Sequence, residues 1–210
     1  MAFGYLTVAG EYENLIVIER SKFICYLKGI ENEEDAKEFV AKIKKQNSLA
    51  THNCYAYIAD EKGLIQKFSD DGEPQGTAGL PMLETLKAKK IFKVVAVVTR
   101  YFGGIKLGTG GLARAYSGSV STAIDMANIV NNERVDFVKF KLDYEGYSKL
   151  LKINLEQAVI TKTDFSTGVE VEFAVKEDFL QAFLQKVKDV FNGKIEFENV
   201  GKGFYPFKAV

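Results

Sequence analysis

The segment VVAVVTRYFGGIKLGTGG, residues 94–111, joins an apolar run to a glycine-rich loop. Val94–Val98 is apolar at every position, which predicts a central β-strand that other elements cover on both faces. Thr99 and three larger residues, Arg100, Tyr101 and Phe102, follow, then Gly103–Gly111, and then a predicted helix that runs to about Asn128. A strand, a glycine-rich turn and a helix in this order predict a layered α/β domain with a crevice at the end of the strand.

Further strands and a helix are predicted before this segment. Leu15–Ile18 and Phe23–Leu27 are apolar and partly β-branched, which predicts two strands. Glu33–Gln46 carries apolar residues at helical spacing, and Asn32 is placed to cap the start of that helix. His52–Ala59 alternates between two sets of side chains, which predicts a strand with two distinct faces.

The chain beyond the segment has a different pattern of apolar residues, which begins at about Glu133. Its apolar patterns predict a strand, a helix, two strands, a helix and a strand, with Leu155 in the stripe of the first helix. The order βαββαβ is that of the ferredoxin-like fold. We therefore expect an α+β protein of two domains, residues 1–132 and 133–210, with the boundary near Asn131–Asn132.

Composition excludes several classes of protein. The chain has 28 basic and 28 acidic residues, so its formal net charge is zero and any affinity for nucleic acid must be local. Val94–Val98, the longest purely apolar run, is too short to span a bilayer, and Met1–Tyr5 lacks the pattern of a signal peptide. Cys25 and Cys54 suit neither a disulfide framework nor a metal site. We expect a cytoplasmic protein with free thiols, no membrane partner, no metal and no cofactor.

Charge is unevenly distributed along the chain. No acid occurs between Thr85 and Ile124, and three of the cations in that interval, Arg100, Lys106 and Arg114, flank the glycine-rich loop. The acids of the same domain gather upstream, at Asp60, Glu61, Asp70, Asp71 and Glu73. Such segregation predicts a basic face on a chain of zero net charge.

One glycine phrase occurs twice. Residues 76–80 and 108–112 both have the pattern Gly-Thr-x-Gly-Leu, and each copy opens a predicted helix, the first of which ends at Ala88. Backbone N–H groups at a helix start bind anions, and glycine lets an anion approach them closely. We expect the two copies to converge on one anion-binding crevice, with an exposed Arg100 beside it.

The predicted anion-binding or nucleic-acid-binding residues are Gly76, Thr77, Gly79, Arg100, Tyr101, Gly103, Gly104, Lys106, Gly108, Thr109, Gly110 and Arg114. His52, Asp70, Asp71 and Glu73 are predicted at its rim, as structural or acid/base residues.

Other interpretations of these residues stay open. The glycines serve equally well to make a tight turn and to allow close helix packing. They do not form a P-loop, because Thr109 stands where the phosphate-binding lysine belongs, and the match to a dinucleotide fingerprint is loose. His52 and Cys54 lie two residues apart on one strand, a spacing that favours a half-buried structural histidine over a nucleophile pair.

Five separated motifs resemble those of the Impact family, including its bacterial YigZ branch. They are Arg20–Phe23, Ala50–Tyr57, Ser69–Pro74, Gly76–Gly79 and Val98–Gly108. The resemblance implies a first domain like the second domain of a small-subunit ribosomal protein and like domain four of elongation factor G. It implies a second domain like domain five of that factor. Since eukaryotic relatives regulate translation, it also implies a role connected with translation.

Together the residues and the resemblance predict a non-enzymatic translation-associated regulator, or an RNA-binding or ribosome-binding protein. Its partner would be structured RNA or the ribosome, bound at the basic glycine-rich crevice with Tyr101 and Phe102 as stacking groups. A translation-related protein is the second class of partner, and no DNA specificity is expected. The alternative is an enzyme that acts on a phosphorylated or carboxylated small molecule at the same crevice, with His52, Asp70 or Asp71 as acid or base.

Overall fold

A computed structural model describes residues 4–153 and 156–208, so Met1–Phe3 and Leu155, which entered the expectations above, lie outside the described residues. By its internal contacts the chain divides into two compact units, here called the first unit, Tyr5–Asn131, and the second unit, Asn132–Phe207. Within the described residues there are five α-helices and two β-sheets, which confirms the predicted α+β class.

The strands and helices follow one another along the whole described chain. In order they are β1 Tyr5–Val8, β2 Glu11–Ile18, β3 Ser21–Gly29, α1 Glu33–Gln46, β4 His52–Ile58, β5 Gln66–Ser69, α2 Gly79–Ala88, β6 Val94–Tyr101, α3 Gly108–Met126, β7 Ile129–Leu142, α4 Tyr144–Leu150, β8 Ala158–Asp164, β9 Val169–Lys176, α5 Leu180–Val190 and β10 Phe197–Lys208.

The first unit is built on an antiparallel sheet with the strand order β2-β3-β6-β4-β5. Its central strand is β6, in which Val94, Ala96 and Val98 pack with residues of α2 and α3. Val95 and Val97 pack on the opposite face with residues of α1. The prediction of a strand covered on both faces is therefore confirmed.

Helix α1 forms where the sequence predicts it. The Asn32 side chain accepts a hydrogen bond from the Asp35 N–H at 3.0 Å, and so caps the helix. The buried residues are those of the predicted stripe, Ala36, Phe39, Val40 and Ile43. Acids in the first turn and lysines in the last turn suit the helix dipole.

Helices α2 and α3 run in the same direction over one face of the sheet. Near their ends, Lys89 Nζ lies 2.6 Å from an Asp125 carboxylate oxygen. Near their starts, Pro81 lines a cleft together with Ala113 and Arg114. Both helices therefore begin at the end of the sheet where β6 ends.

The second unit has the order βαββαβ from β7 to β10. Strand β7 pairs with β9 and with β10, and β9 pairs with β8. One core joins Phe140 and Phe173 of the sheet with Leu150 of α4 and Phe183 of α5.

Asn131–Asn132, where the sequence places its domain boundary, lies inside the continuous strand β7. The division between the two compact units falls between the same two residues. Strand β1 was not predicted, since it has four residues and pairs with the distant β7. No helix in the described ranges combines the length and apolar character needed to cross a membrane.

Gly29, the last residue of β3, lies where two backbone segments pass very closely. A Cβ at this position would lie 2.1 Å from the carbonyl oxygen of Val8. We predict that Gly29→Ala lowers the free energy of unfolding by about 2–3 kcal/mol, because the backbone must shift to admit the methyl group. Chemical denaturation measures this loss.

Gly118 provides the matched control. It lies inside α3 with nothing within 4 Å of an added Cβ. Gly118→Ala should leave stability unchanged or raise it by up to about 1 kcal/mol through helix propensity. Equal stabilities of the Gly29→Ala and Gly118→Ala variants would contradict the close approach.

Candidate functional site

The loop between β5 and α2 supplies its own anion to the start of α2. The Asp70 carboxylate accepts hydrogen bonds from the N–H groups of Gly76, Ala78 and Gly79 at 2.8, 3.0 and 2.8 Å. These are the N–H groups that a helix start offers to an anion. The expectation that Gly76, the buried Thr77 and Gly79 bind an external phosphate is therefore wrong, because an internal carboxylate already holds that position.

Glu73 of the same loop lies in the interior, with 3% of its side chain exposed. Its carboxylate accepts hydrogen bonds from Arg100 Nη1 at 2.8 Å and from the Tyr116 hydroxyl at 2.7 Å. His52 Nε2 lies 3.8 Å from the second carboxylate oxygen. A single buried carboxylate thus links the guanidinium of β6, the phenol of α3 and the imidazole of β4.

Arg100 has its charge neutralised inside the first unit. Only 6% of its side chain is exposed, and Nη2 lies 3.4 Å from Ser21 Oγ. The guanidinium lies against the rings of Phe23 and Phe102, 5.3 and 5.4 Å from their centroids. The expectation of an exposed Arg100 that contacts phosphate is wrong, because a buried cation needs a buried partner, and here the partner is Glu73.

Asp71 ties the same loop to β4 and α1. Its carboxylate accepts the N–H of Asn53 at 2.7 Å and pairs with Lys44. Its backbone carbonyl lies 2.9 Å from His52 Nδ1. Because a carbonyl oxygen only accepts, Nδ1 carries a hydrogen, and Nε2 is the nitrogen that faces the buried carboxylate. The acids of this loop form hydrogen bonds and ion pairs within the first unit. They do not form the predicted rim of an anion-binding crevice.

The buried thiols and the buried phenol of the first unit are held in their neutral forms. Burial raises the pKa of both Cys25 and Cys54 to about 12. Burial also raises the pKa of Tyr116. The Cys54 thiol donates to the carbonyl of Asp70 at 2.9 Å. A thiol so far from ionisation is a poor nucleophile at neutral pH.

The turn between β2 and β3 meets the loop that follows β6. Glu19 and Arg20 form this two-residue turn with positive φ angles of 46° and 63°, a conformation that glycine and asparagine favour. A Cβ at Gly103 would lie 2.1 Å from the backbone of Arg20, and the Gly103 N–H donates to Ser21 Oγ at 3.1 Å. Gly103 therefore serves close packing, and the turn and the loop form one surface.

The start of α3 differs from that of α2. It has no capping side chain and no acid in its first turn. Gly104 and Gly108 have positive φ angles of 86° and 69°, with nothing within 4 Å of an added Cβ. Thr109 and Gly110 are exposed. The second copy of the glycine phrase thus stays open where the first copy is filled.

A cleft of about 430 Å³ lies beside the open helix start. Its lining residues are Ile18, Glu19, Ile105, Lys106, Leu107, Gly111, Arg114 and Ala115. Lys106 and Arg114 are exposed, as is Arg20 of the adjacent turn. Within residues 4–153 and 156–208 none of these three cations forms an ion pair. We call Arg20, Lys106 and Arg114 the cationic surface.

The two aromatic residues at the end of β6 have different surroundings. The Tyr101 hydroxyl donates to Asn47 Oδ1 at 3.0 Å, so this half-buried ring is tied to the end of α1. Phe102 is 47% exposed although its ring lies against the Arg100 guanidinium. Among the described residues, no group of three or more His, Cys, Asp or Glu side chains is arranged to hold a metal ion.

The residues predicted for the site therefore divide into two sets. Those at the open surface are Gly104, Lys106, Gly108, Thr109, Gly110 and Arg114. Those engaged inside the unit or in its packing are Gly76, Thr77, Gly79, Arg100, Tyr101 and Gly103. Arg20 was missing from the predicted set, although the polar break between two apolar strands marks its turn in the sequence.

Comparison with known proteins identifies relatives over the whole chain. Residues 19–124 match the family described as "Impact N-terminal domain". A relative from Bacillus subtilis (strain 168), "IMPACT family member YvyE", is 45% identical over 213 residues that cover 100% of this chain and 97% of the relative. An "IMPACT family member" from Haemophilus influenzae is 39% identical and covers 85% of this chain and 88% of its own. A solved structure, "Crystal structure of an hypothetical protein", aligns with a TM-score of 0.62 at 31% identity, over 95% of this chain and 98% of that one.

The buried ion pair leads to a stability prediction. Glu73→Gln keeps the shape of the side chain but leaves the Arg100 charge without a counter-charge, so it should lower the free energy of unfolding by about 3–5 kcal/mol. Glu84→Gln is the control, because Glu84 pairs with Lys87 on the exposed surface and should contribute less than about 1 kcal/mol. Denaturant titration measures both variants, and equal losses would contradict a structural role for the buried pair.

The raised thiol pKa values lead to a second prediction. Because a thiolate forms only as the pH approaches about 12 in the folded protein, Cys25 and Cys54 should not react with Ellman's reagent at mildly alkaline pH. Both should react rapidly once guanidinium unfolds the chain. Fast labelling of either thiol in the native protein would show that the interior of the first unit opens easily.

Proposed function

This chain belongs to the Impact family, and we propose that it is a non-enzymatic, translation-associated regulator that binds RNA through the cationic surface. The family resemblance supports the connection with translation, and the exposed charges of the first unit support RNA as the ligand. Structured RNA, free or within the ribosome, is the proposed partner, and a cytoplasmic location stays part of the proposal. A protein partner from the translation machinery is the other class that the family suggests.

The observation that carries this proposal is that, within the part of the chain that the structure describes, two exposed cations without an ion pair line one cleft beside the open start of α3. Several lysines of the first unit, Lys44, Lys87 and Lys89 among them, are paired with nearby acids. In the described residues, Lys106 and Arg114 line one cleft without such a partner. Exposed cations that no internal acid neutralises attract phosphate, even on a chain of zero net charge.

The open start of α3 adds to this attraction. Its first N–H groups have no partner within the helix, and the helix dipole places partial positive charge there. Gly108 and Gly110 leave the backbone accessible, and Glu19, which also lines the cleft, restricts where a phosphate can lie. The surface therefore suits a ligand whose phosphates are spaced along a chain.

The enzymatic alternative receives less support. His52, Asp70 and Asp71, its candidate acid and base, are all held by contacts inside the first unit. The cleft lined by Pro81 and the cleft lined by Lys106, which both border α3, have other lining residues. No reaction is therefore part of the proposal.

The finer fold assignments also belong to the proposal. The strand pairing of β7 with β9 and β10, and the core that α4 and α5 share with that sheet, support a ferredoxin-like second domain over residues 133–210. The covered five-stranded sheet supports a first domain, residues 1–132, like the second domain of a small-subunit ribosomal protein.

Salt dependence tests the proposed function. The double variant Lys106→Ala/Arg114→Ala should weaken binding to a structured RNA and reduce the slope of log affinity against log salt by roughly 1–2, because two phosphate contacts are lost. Fluorescence anisotropy at several salt concentrations measures both quantities.

The control removes two charges from elsewhere on the first unit. Lys62 and Lys67 are exposed and lie towards the end of the sheet where β6 begins. Lys62→Ala/Lys67→Ala should leave the slope nearly unchanged. Failure of the wild-type protein to bind RNA at low salt, or the same slope in both double variants, would overturn the proposal.

A further inference from the structure

We propose that Phe102 is a stacking platform for an unpaired nucleobase, so that the protein prefers RNA with single-stranded loops over continuous duplex. This inference rests on the proposed function, since it names the part of the RNA that the same surface recognises. The inference is based on the surroundings of the Phe102 ring, which is partly exposed to solvent and lies against the Arg100 guanidinium.

Phe102 is an unusual exposed aromatic residue because its ring lies against the buried guanidinium of Arg100. It is 47% exposed, and the Arg100 guanidinium lies 5.4 Å from its ring centroid. Arg100 is itself held in place, with the Phe23 ring centroid 5.3 Å from its guanidinium and Glu73 bonded to Nη1. An exposed phenylalanine in a loop ordinarily samples several rotamers, whereas this ring rests on a guanidinium that cannot move away.

The backbone of Phe102 is also fixed. Its N–H donates to Thr51 Oγ1 at 3.1 Å, and the next residue, Gly103, packs against the backbone of Arg20. The ring is therefore held before any ligand arrives, which lowers the entropic cost of stacking a base on it.

The loop that carries the ring also carries one cation and contacts the turn that carries another. Phe102 and Lys106 belong to the same short loop, and that loop contacts the turn that carries Arg20. A base on the ring would leave its own phosphate near these cations. Stacking on aromatic side chains requires bases that have left a helix, whereas a duplex offers only its phosphates and groove edges. The combination therefore selects RNA in which at least one base is unpaired.

The first experiment compares two RNAs of equal length, a hairpin with an open loop and a blunt duplex, by fluorescence anisotropy. Phe102→Ala should weaken binding of the hairpin about 5- to 100-fold and leave binding of the duplex and the salt slope nearly unchanged. Phe102→Tyr, which keeps the ring, should restore hairpin binding. Thermal unfolding of each variant checks that the fold is kept.

A second experiment reads the contact directly. The chain contains no tryptophan, so Phe102→Trp introduces a single indole at the platform. Its emission should be quenched by the hairpin and much less by the duplex, because stacking on a base quenches indole fluorescence. Phe68→Trp, at an exposed position on β5, is the control and should respond to neither RNA.

The outcomes separate the two proposals. If the wild-type protein binds both RNAs and Phe102→Ala weakens both equally or neither, the stacking inference is overturned while the proposed function stands. If the wild-type protein binds neither RNA, the proposed function fails and the inference fails with it. A protein partner would then be the remaining class of ligand for this surface.

Discussion

The buried ion pair between Arg100 and Glu73 is the interaction on which the rest of the first unit depends. Arg100 lies on the central strand, and Glu73 lies on a loop 27 residues earlier in the chain. The pair has to form because neither charge is exposed enough to be hydrated. Its formation draws the loop onto the end of the sheet and brings in the Tyr116 hydroxyl from α3.

The same loop explains why the two copies of the Gly-Thr-x-Gly-Leu phrase have different surroundings. Asp70 precedes the first phrase closely enough to fold back on it, and its carboxylate occupies the N–H groups at the start of α2. No acid precedes the second phrase at that distance, and the loop before it contributes Lys106 instead. One helix start therefore receives a carboxylate from within the protein, while the other has no capping side chain and no acid in its first turn.

Local patterns predict much of this fold, and contacts across long sequence separations account for what was missed. The stripe of α1 and the two covered faces of β6 follow from the spacing of apolar residues, so both were predicted. An arginine beside glycines has the same local pattern whether its partner is an external phosphate or an internal carboxylate, and the structure alone assigns Arg100 to Glu73. The predicted site residues therefore include Arg100, whose charge the structure pairs with Glu73 in the interior, together with Lys106 and Arg114, which lie on the surface. Arg20 was missed because its turn reaches the site only through the packing of Gly103.

If the proposal is right, RNA contacts the open start of α3 and the loop after β6, and the filled start of α2 takes no part. Photocrosslinking with a thiouridine-labelled hairpin RNA, followed by mass spectrometry of the modified peptides, distinguishes the two helix starts. We expect crosslinks within the peptides that contain Phe102, Lys106 and Arg114, and none in the peptide that contains Asp70 and Gly76. Crosslinks concentrated in that second peptide, or in the second unit alone, would contradict it.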